Sequence, residues 1–361
     1  MFKRYLLTLA LTLCVTPAFA QHDPKPVPVD ATTRKAVIAE LSSQLNTNYV
    51  FPDVAAQLAT ALAAKENSGG YSQATDSSTF ADALTKDLRM LGKDDHFAVG
   101  YDPDFRASPP DAVPDAETLQ VMRREISSHG FGIDSVKRLP GNVGYLELRA
   151  FGPTQIVAAA ISGAMTMLSG TDALILDLRR NGGGEPETVA YLMSHFFSAG
   201  DERHLNDLYF RVGDTTHQYW TSAAVGPRYT RPVYVLTSGR TFSGGEECAY
   251  DFQTQKRAKI VGETTGGGAN PGDGYAISKG YAAFIPNGRA INPITKTNWE
   301  HVGVIPDIAV PAADAQKVAH AAILRDLIAA AKDPDEKNQL QDILKDVEAG
   351  VVAVPVYTKR Q

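Results

Sequence analysis

The sequence predicts an α/β fold in which a βα core follows a small N-terminal helical bundle. Two strand-helix units carry the core: DALILDLR at 172–179 is a continuous apolar run of the kind that suits a strand buried in a parallel sheet, and RPVYVLTS with AKIVGE brackets a helix starting just after Ser243. A third observation gives the bundle. From Thr32 to about Leu91 the apolar residues recur at helical spacing, as Val37, Leu41 and Leu45, then Val54, Leu58 and Leu62 after Phe51-Pro52-Asp53, then Phe80, Leu84 and Leu88. Within the core, VGYLELRAF reads as a strand and Ile156 to Leu168 as the helix after it; DAQKVAHAAILRDLIAAAKD is an amphipathic C-terminal helix with a charged one behind it. The expected organisation is a signal peptide (1–20), a Pro-rich leader (21–30), a helical domain (31–103), a crossing linker (104–140), the core (141–311) and C-terminal helices (312–361).

The first residues set the compartment. Lys3 and Arg4 precede an apolar run from Tyr5 to Val15, and Ala18 and Ala20 supply the small residues of a cleavage site before Gln21, so an exported protein, periplasmic or secreted, is expected. The run is too short to span a bilayer, which takes about 20 apolar residues. The formal charge is −6, and removing Lys3 and Arg4 makes it −8. With no basic stripe, nucleic acid is not an expected partner. Cys248 is the one cysteine left after processing, which excludes a disulfide framework and suits a buried small apolar residue; a catalytic cysteine would need a Cys-His signature that is missing here.

Two glycine-rich turns could carry chemistry. In DLRRNGGG, from Asp177 to Gly184, three glycines follow a buried strand, leaving backbone N–H groups open to an oxyanion or simply forming a flexible loop. In TSGRTFSGGEE, Ser243 follows another strand and is either a nucleophile beside the Gly244 N–H or an ordinary helix cap. A serine needs a base. Of eight histidines, His96 in GKDDHFAVG stands out, at the handover from helices to an extended segment and flanked by Asp94 and Asp95; His301 is a weaker candidate. No histidine pair has zinc-helix spacing, so neither metal nor cofactor is expected.

Taken in order, GNVGYLELRAF, DALILDLRRNGGG, TSGRTFSGGEE, AKIVGETTGGGANPG and EHVGVIPDIAV resemble the motifs of the serine peptidases related to tail-specific, or C-terminal-processing, proteases, family S41, over most of residues 90 to 310. The resemblance implies a core similar to the crotonase/ClpP fold. In the processing-protease branch the base is a lysine, and Gly268 of GETTGGGA stands at its position here. The chain is therefore similar instead to the tricorn-protease branch and to the modules of interphotoreceptor retinoid-binding protein, in which a histidine ahead of the core has the place of His96. The 37 residues from Asp104 to Pro140 are too few for the PDZ domain of many processing proteases.

Carried over residue by residue, the resemblance implies Ser243 as nucleophile, His96 as general base, and Gly244 and Gly183 as oxyanion donors. It implies Glu300 as the acid behind the histidine, while Asp95, where relatives have a serine, is a competing orienting group; Glu246 matches the acid of the nucleophile motif. The expected function is an exported serine endopeptidase acting on peptide or unfolded-protein substrates. The alternative is a non-catalytic binding module for apolar ligands or peptides on the same scaffold, and a small-molecule esterase or amidase would share the chemistry. Oligomeric state is not legible.

Overall fold

The computed structural model describes residues 24–107 and 114–351; the expected signal peptide lies outside the described residues. Three helices come first, α1 (Ala31–Asn48), α2 (Pro52–Asn67) and α3 (Ser77–Gly92). Asp30 caps α1 by accepting the Thr33 N–H at 2.7 Å, Asp76 caps α3 through Ser78 and Thr79, and α2 opens on Pro52, whose missing N–H costs nothing in a first turn. Leu41, Leu45, Leu58, Leu62, Phe80, Leu84 and Leu88 are all at most 1% exposed. Each such burial contributes about 1.5–3 kcal/mol. The helices do not close on themselves: their core also takes in Ile277, Tyr281, Ala283 and Ile285 from strands far along the chain.

Strand β1 (Ala98–Tyr101) follows, then α4 (Ala116–Ser128) and β2 (Ile133–Leu139). The span expected to be a crossing linker thus holds a helix and a strand. Met122 and Ile126 anchor α4 in the core, and β2 pairs antiparallel with β3 (Val143–Leu148). As a half-exposed edge strand, IDSVKRL lacks the apolar run that marks its neighbours. Among its described residues this span has one α-helix and no PDZ domain.

The core continues with α5 (Thr154–Leu168), β4 (Ala173–Asp177), α6 (Pro186–Ser194), β5 (His204–Phe210), β6 (Thr215–Trp220), β7 (Val233–Thr237), α7 (Gly244–Thr254), β8 (Lys259–Gly262), β9 (Gly272–Ile277), β10 (Tyr281–Pro286), β11 (Gly288–Ile291) and β12 (Ile308–Ala309), and ends in α8 (Ala312–Ala330) and α9 (Pro334–Ala349). A six-stranded sheet runs in the order β12-β8-β7-β4-β3-β2, parallel except for β2. Its alternating side chains divide into two cores. Leu146, Leu174, Leu176, Val233, Val235 and Ile260 meet α5, α6 and α7, whereas Tyr145, Ile175, Tyr234, Leu236 and Val261 meet Ala315, Ala319 and Ile323 of α8. Two small antiparallel sheets, β1-β10-β9 and β11-β5-β6, flank this layer.

The topology fixes where chemistry can gather. Strands β4, β7 and β8 are parallel neighbours, so their carboxyl ends release three loops side by side: the glycines at 182–184, the turn at Ser243 and the stretch 264–268. The β1-β10-β9 sheet brings the segment just ahead of β1, with His96, to the same seam, where His96 lies against Phe284 of β10 at 6.5 Å between ring centroids.

Helix α7 also buries two acids one turn apart, Glu247 at 4% exposure and Asp251 at 0%, with no ion pair to either. Burial pushes Glu247 up to about 8, with repulsion from Glu187 of α6 added and the Asn206 amide of β5 pulling the other way. Burial, then Glu247, raises Asp251. A carboxyl raised in the folded chain holds its proton where the unfolded chain has lost it, so its stabilisation is complete below the ordinary value of 4.5 and is lost as pH rises through about 8. The free energy of unfolding should therefore fall from pH 5 to about 8, by about 1.4 kcal/mol per pH unit for each proton retained, carrying the thermal midpoint down with it, and Glu247→Gln should flatten the slope. A wild-type midpoint that does not change over that range would contradict this.

Candidate active site

The helix-cap reading of Ser243 meets its test in the backbone. Phe242, Ser243, Gly244 and Gly245 form a turn closed by the Gly245 N–H donating to the Phe242 carbonyl at 2.9 Å, and Ser243 sits at its second position with φ 53° and ψ −123°. Those angles belong to a type II′ turn, where glycine is the normal occupant. An ordinary cap residue is extended. Serine in this conformation costs on the order of 1–3 kcal/mol, a strain that concentrates at functional sites. Ser243 is half-buried while Phe242, Gly244, Gly245 and Glu246 around it are buried, so the strained turn presents the serine.

What holds the turn is Glu246. Its carboxylate, 0% exposed, accepts the Ser243 N–H at 2.9 Å, the Gly268 N–H at 2.9 Å, the Gly267 N–H at 2.6 Å and the Thr265 hydroxyl at 2.5 Å. Burial raises its proton affinity and these donors oppose the rise. Thr265 in turn accepts the Val304 N–H at 2.7 Å, which ties in the loop that carries Glu300.

The glycine loop packs directly on the serine. Gly183, at φ 107°, has no room for a side chain: a Cβ there would lie 2.8 Å from the Ser243 Cβ and 2.9 Å from the Gly244 nitrogen. Among the described residues nothing accepts the Gly244 N–H, which is thus open to an oxyanion. The Gly183 N–H is occupied, donating to Asn181 Oδ1 at 2.8 Å. Asn181, absent from the sequence-based site, also donates to the Leu148 carbonyl and receives the Phe242 N–H on its own carbonyl at 3.0 Å, so it welds the β4 loop to the β7 turn.

His96 comes to this place from the helical unit. It is 9% exposed and packs on Phe242, beside Ser243, at 4.6 Å between ring centroids. Neither ring nitrogen has a hydrogen-bond partner, so no Ser–His hydrogen bond is formed in this arrangement. The space it fills explains Gly268: a Cβ at 268 would come within 2.6 Å of His96 Cε1 and would overlap Phe242. A lysine at 268 and a histidine at 96 thus compete for one volume.

Of the acids expected near the histidine, Asp95 is exposed. Glu300 lies in the seam, accepting the Ala269 N–H, with its other oxygen 3.6 Å from His301 Nδ1. Burial, then the charge of Asp94, pushes its carboxyl up to about 9. The carboxylate nearest the imidazole is Asp94, with Oδ1 3.5 Å from His96 Nδ1. His301 is half exposed and its ring faces Glu300. Among the other described histidines, His195 and His320 bond the Pro227 and Pro140 carbonyls and His204 pairs with Asp207. Cys248 is fully buried in the core, where burial raises its thiol further. Among the described residues no group of acids, histidines and cysteines is arranged to hold a metal, and no helix is long and apolar enough to cross a membrane.

The model of peptidase family S41 matches residues 142–310, and that of the N-terminal domain of peptidase S41 in eukaryotic IRBP matches residues 31–132; the chain belongs to peptidase family S41. It is 28% identical over 217 residues to the chloroplastic carboxyl-terminal-processing peptidase 2 of Arabidopsis thaliana, a match covering 55% of this chain and 38% of that one. The chain thus spans well under half the length of that relative. Two solved structures share the fold: one assigned as a peptidase from Parabacteroides merdae ATCC 43184 (TM-score 0.52, 18% identity, 77% of this chain and 90% of that one) and a lipoprotein from Streptococcus agalactiae (TM-score 0.51, 13% identity, 83% and 98%).

Glu246→Ala should leave the three N–H groups it satisfies buried without partners, at about 1–3 kcal/mol each. An unfolding free energy, measured by denaturant titration, lowered by about 3 kcal/mol or more is expected; a loss under about 1 kcal/mol would show that the clamp is not what holds the turn.

Proposed function

We propose that this chain is an exported serine endopeptidase that cleaves extended or unfolded polypeptide by acyl transfer from Ser243. The observation that carries the reading is a serine held at a positive φ between β7 and α7, with the free Gly244 N–H next to it and a histidine ring on the adjacent Phe242. In the proposed reaction His96 takes the hydroxyl proton as Ser243 attacks the carbonyl carbon, and the Gly244 N–H receives the developing oxyanion. The imidazolium then gives its proton to the leaving amine, and water, activated by the same ring, releases the acyl group. Gly183 would serve as the second donor only by exchanging its bond to Asn181 for one to the substrate oxygen. The resemblance implies Glu300 as the orienting acid, with Asp95 as the competing group. Export rests on the residues ahead of Gln21.

One observation favours a second reading, a binding module on the same scaffold: the histidine makes no hydrogen bond to the serine in the unliganded arrangement. Catalytic hydrogen bonds of this kind often tighten only when substrate is bound, so activity has to decide. Ser243→Ala should abolish both hydrolysis of an unfolded protein and labelling by a serine-directed phosphonate, with the thermal midpoint close to that of wild type, since the change removes one hydroxyl and no packed carbon. His96→Ala should lower kcat on the order of 10⁴-fold. Labelling that persists in Ser243→Ala would reassign the nucleophile, and a wild-type chain that neither labels nor cleaves would favour the binding module.

A further inference from the structure

We infer that Asp94 is the positioning residue for His96, through a hydrogen bond to Nδ1 that leaves Nε2 to receive the serine proton. The inference rests on the reading of Ser243 and His96 as nucleophile and base. Asp94 is 1% exposed and its two oxygens are engaged from separate parts of the chain. Oδ1 accepts the backbone N–H of His96 at 3.0 Å and stands 3.5 Å from His96 Nδ1. Oδ2 accepts the Asn270 amide at 2.9 Å and the Tyr49 hydroxyl at 3.4 Å. Held at both ends, the carboxylate cannot follow the ring, so the ring must come to it, and a shift of less than about 1 Å brings Nδ1 within hydrogen-bond distance. An Nδ1–H donated to Asp94 selects the tautomer whose Nε2 has its lone pair free, and the carboxylate then stabilises the imidazolium.

The other two acids fit the role less well. Asp95 is exposed, and a surface carboxylate is screened by water. Glu300 accepts a single N–H, from Ala269, and its Oε1 is buried without a hydrogen bond, which leaves it a place for a proton. The number of donors favours charge unequally: Asp94 accepts from three groups and Glu246 from four, each of which favours the ionised form, while Glu300 accepts from one and burial pushes it up to about 9. A neutral acid can fasten its loop to Ala269 but offers no charge to an imidazolium.

The test compares D94N, D95N and E300Q in the full chain by kcat, KM and thermal midpoint on an unfolded protein substrate, together with the His96 imidazole titration followed by NMR. D94N should lower kcat on the order of 10²- to 10⁴-fold with KM little changed, and should move the His96 titration to lower pH because the attracting charge is gone. D95N and E300Q should each lose at least about tenfold less, and neither should move the titration as far. If D94N does not fold, Asn270→Ala, which frees the carboxylate from its tether, should lower kcat by about tenfold or more at constant KM. A D94N enzyme with wild-type kcat and titration, or a larger loss in E300Q, overturns the inference. The titration needs no turnover, so it is read even if the chain proves inactive. An active Ser243→Ala variant would sink the underlying reading instead.

Discussion

The carboxylate of Glu246 receives hydrogen bonds from Ser243, Thr265, Gly267 and Gly268 in the interior of the protein. Everything distinctive about the site follows from that convergence. The bond to Ser243 opposes the strain of a serine in a type II′ position, and the bonds to Gly267 and Gly268 draw the loop after β8 onto the turn after β7. The same loop continues to Asn270, which reaches Asp94 across 176 positions of sequence, and Asp94 in turn holds the backbone of His96. Candidate nucleophile and candidate base come from different parts of the fold, and the contacts that join them run through one buried carboxyl group.

A second theme is the management of protons without cations. Glu246, Asp94 and Glu300 share a seam in which no lysine or arginine pairs with them among the described residues. Backbone, amide and hydroxyl donors surround the first two in place of cations, while burial and the charge of Asp94 push Glu300 up to about 9. Glu247 and Asp251, on the same helix α7, are buried with even fewer partners, so the helix that carries the serine also holds two acids whose protons are retained by burial.

The parallel strands were legible because burial on both faces writes a continuous apolar run, as in ALILD and VYVLT, and the helices because their spacing of four is long and regular. Strands β9 and β2 were not. GDGYAI is interrupted by glycines and IDSVKRL is half exposed, so neither has a period to read, and the supposed linker concealed the edge of the main sheet. In the site, Gly268 was legible as an absent lysine, but the reason for it, the shared volume with His96 and Phe242, is a contact between distant segments. Local sequence could not show that Ser243, the N-cap of α7 and bonded to Glu246 as in a capping box, also stands at a positive φ, which is what raises the nucleophile reading above an ordinary cap. Nor could it choose among Asp94, Asp95 and Glu300: neighbouring acids in a turn point in opposite directions, and only the fold says which one is buried. Asn181 and Asn270 stood in quoted motifs with nothing to mark them, because an amide gains its role from the partner it meets.

Whether Ser243, His96 and Asp94 close into one relay around a site framed by Glu246 would be seen in a crystal structure of the protein with a peptidyl boronate. Closure of the relay places boron on Ser243 Oγ, a boronate oxygen on the Gly244 N–H, His96 Nε2 within hydrogen-bond distance of the adduct, and His96 Nδ1 on Asp94. An adduct on another residue, or one on Ser243 with the imidazole still unpartnered against Phe242, would contradict it.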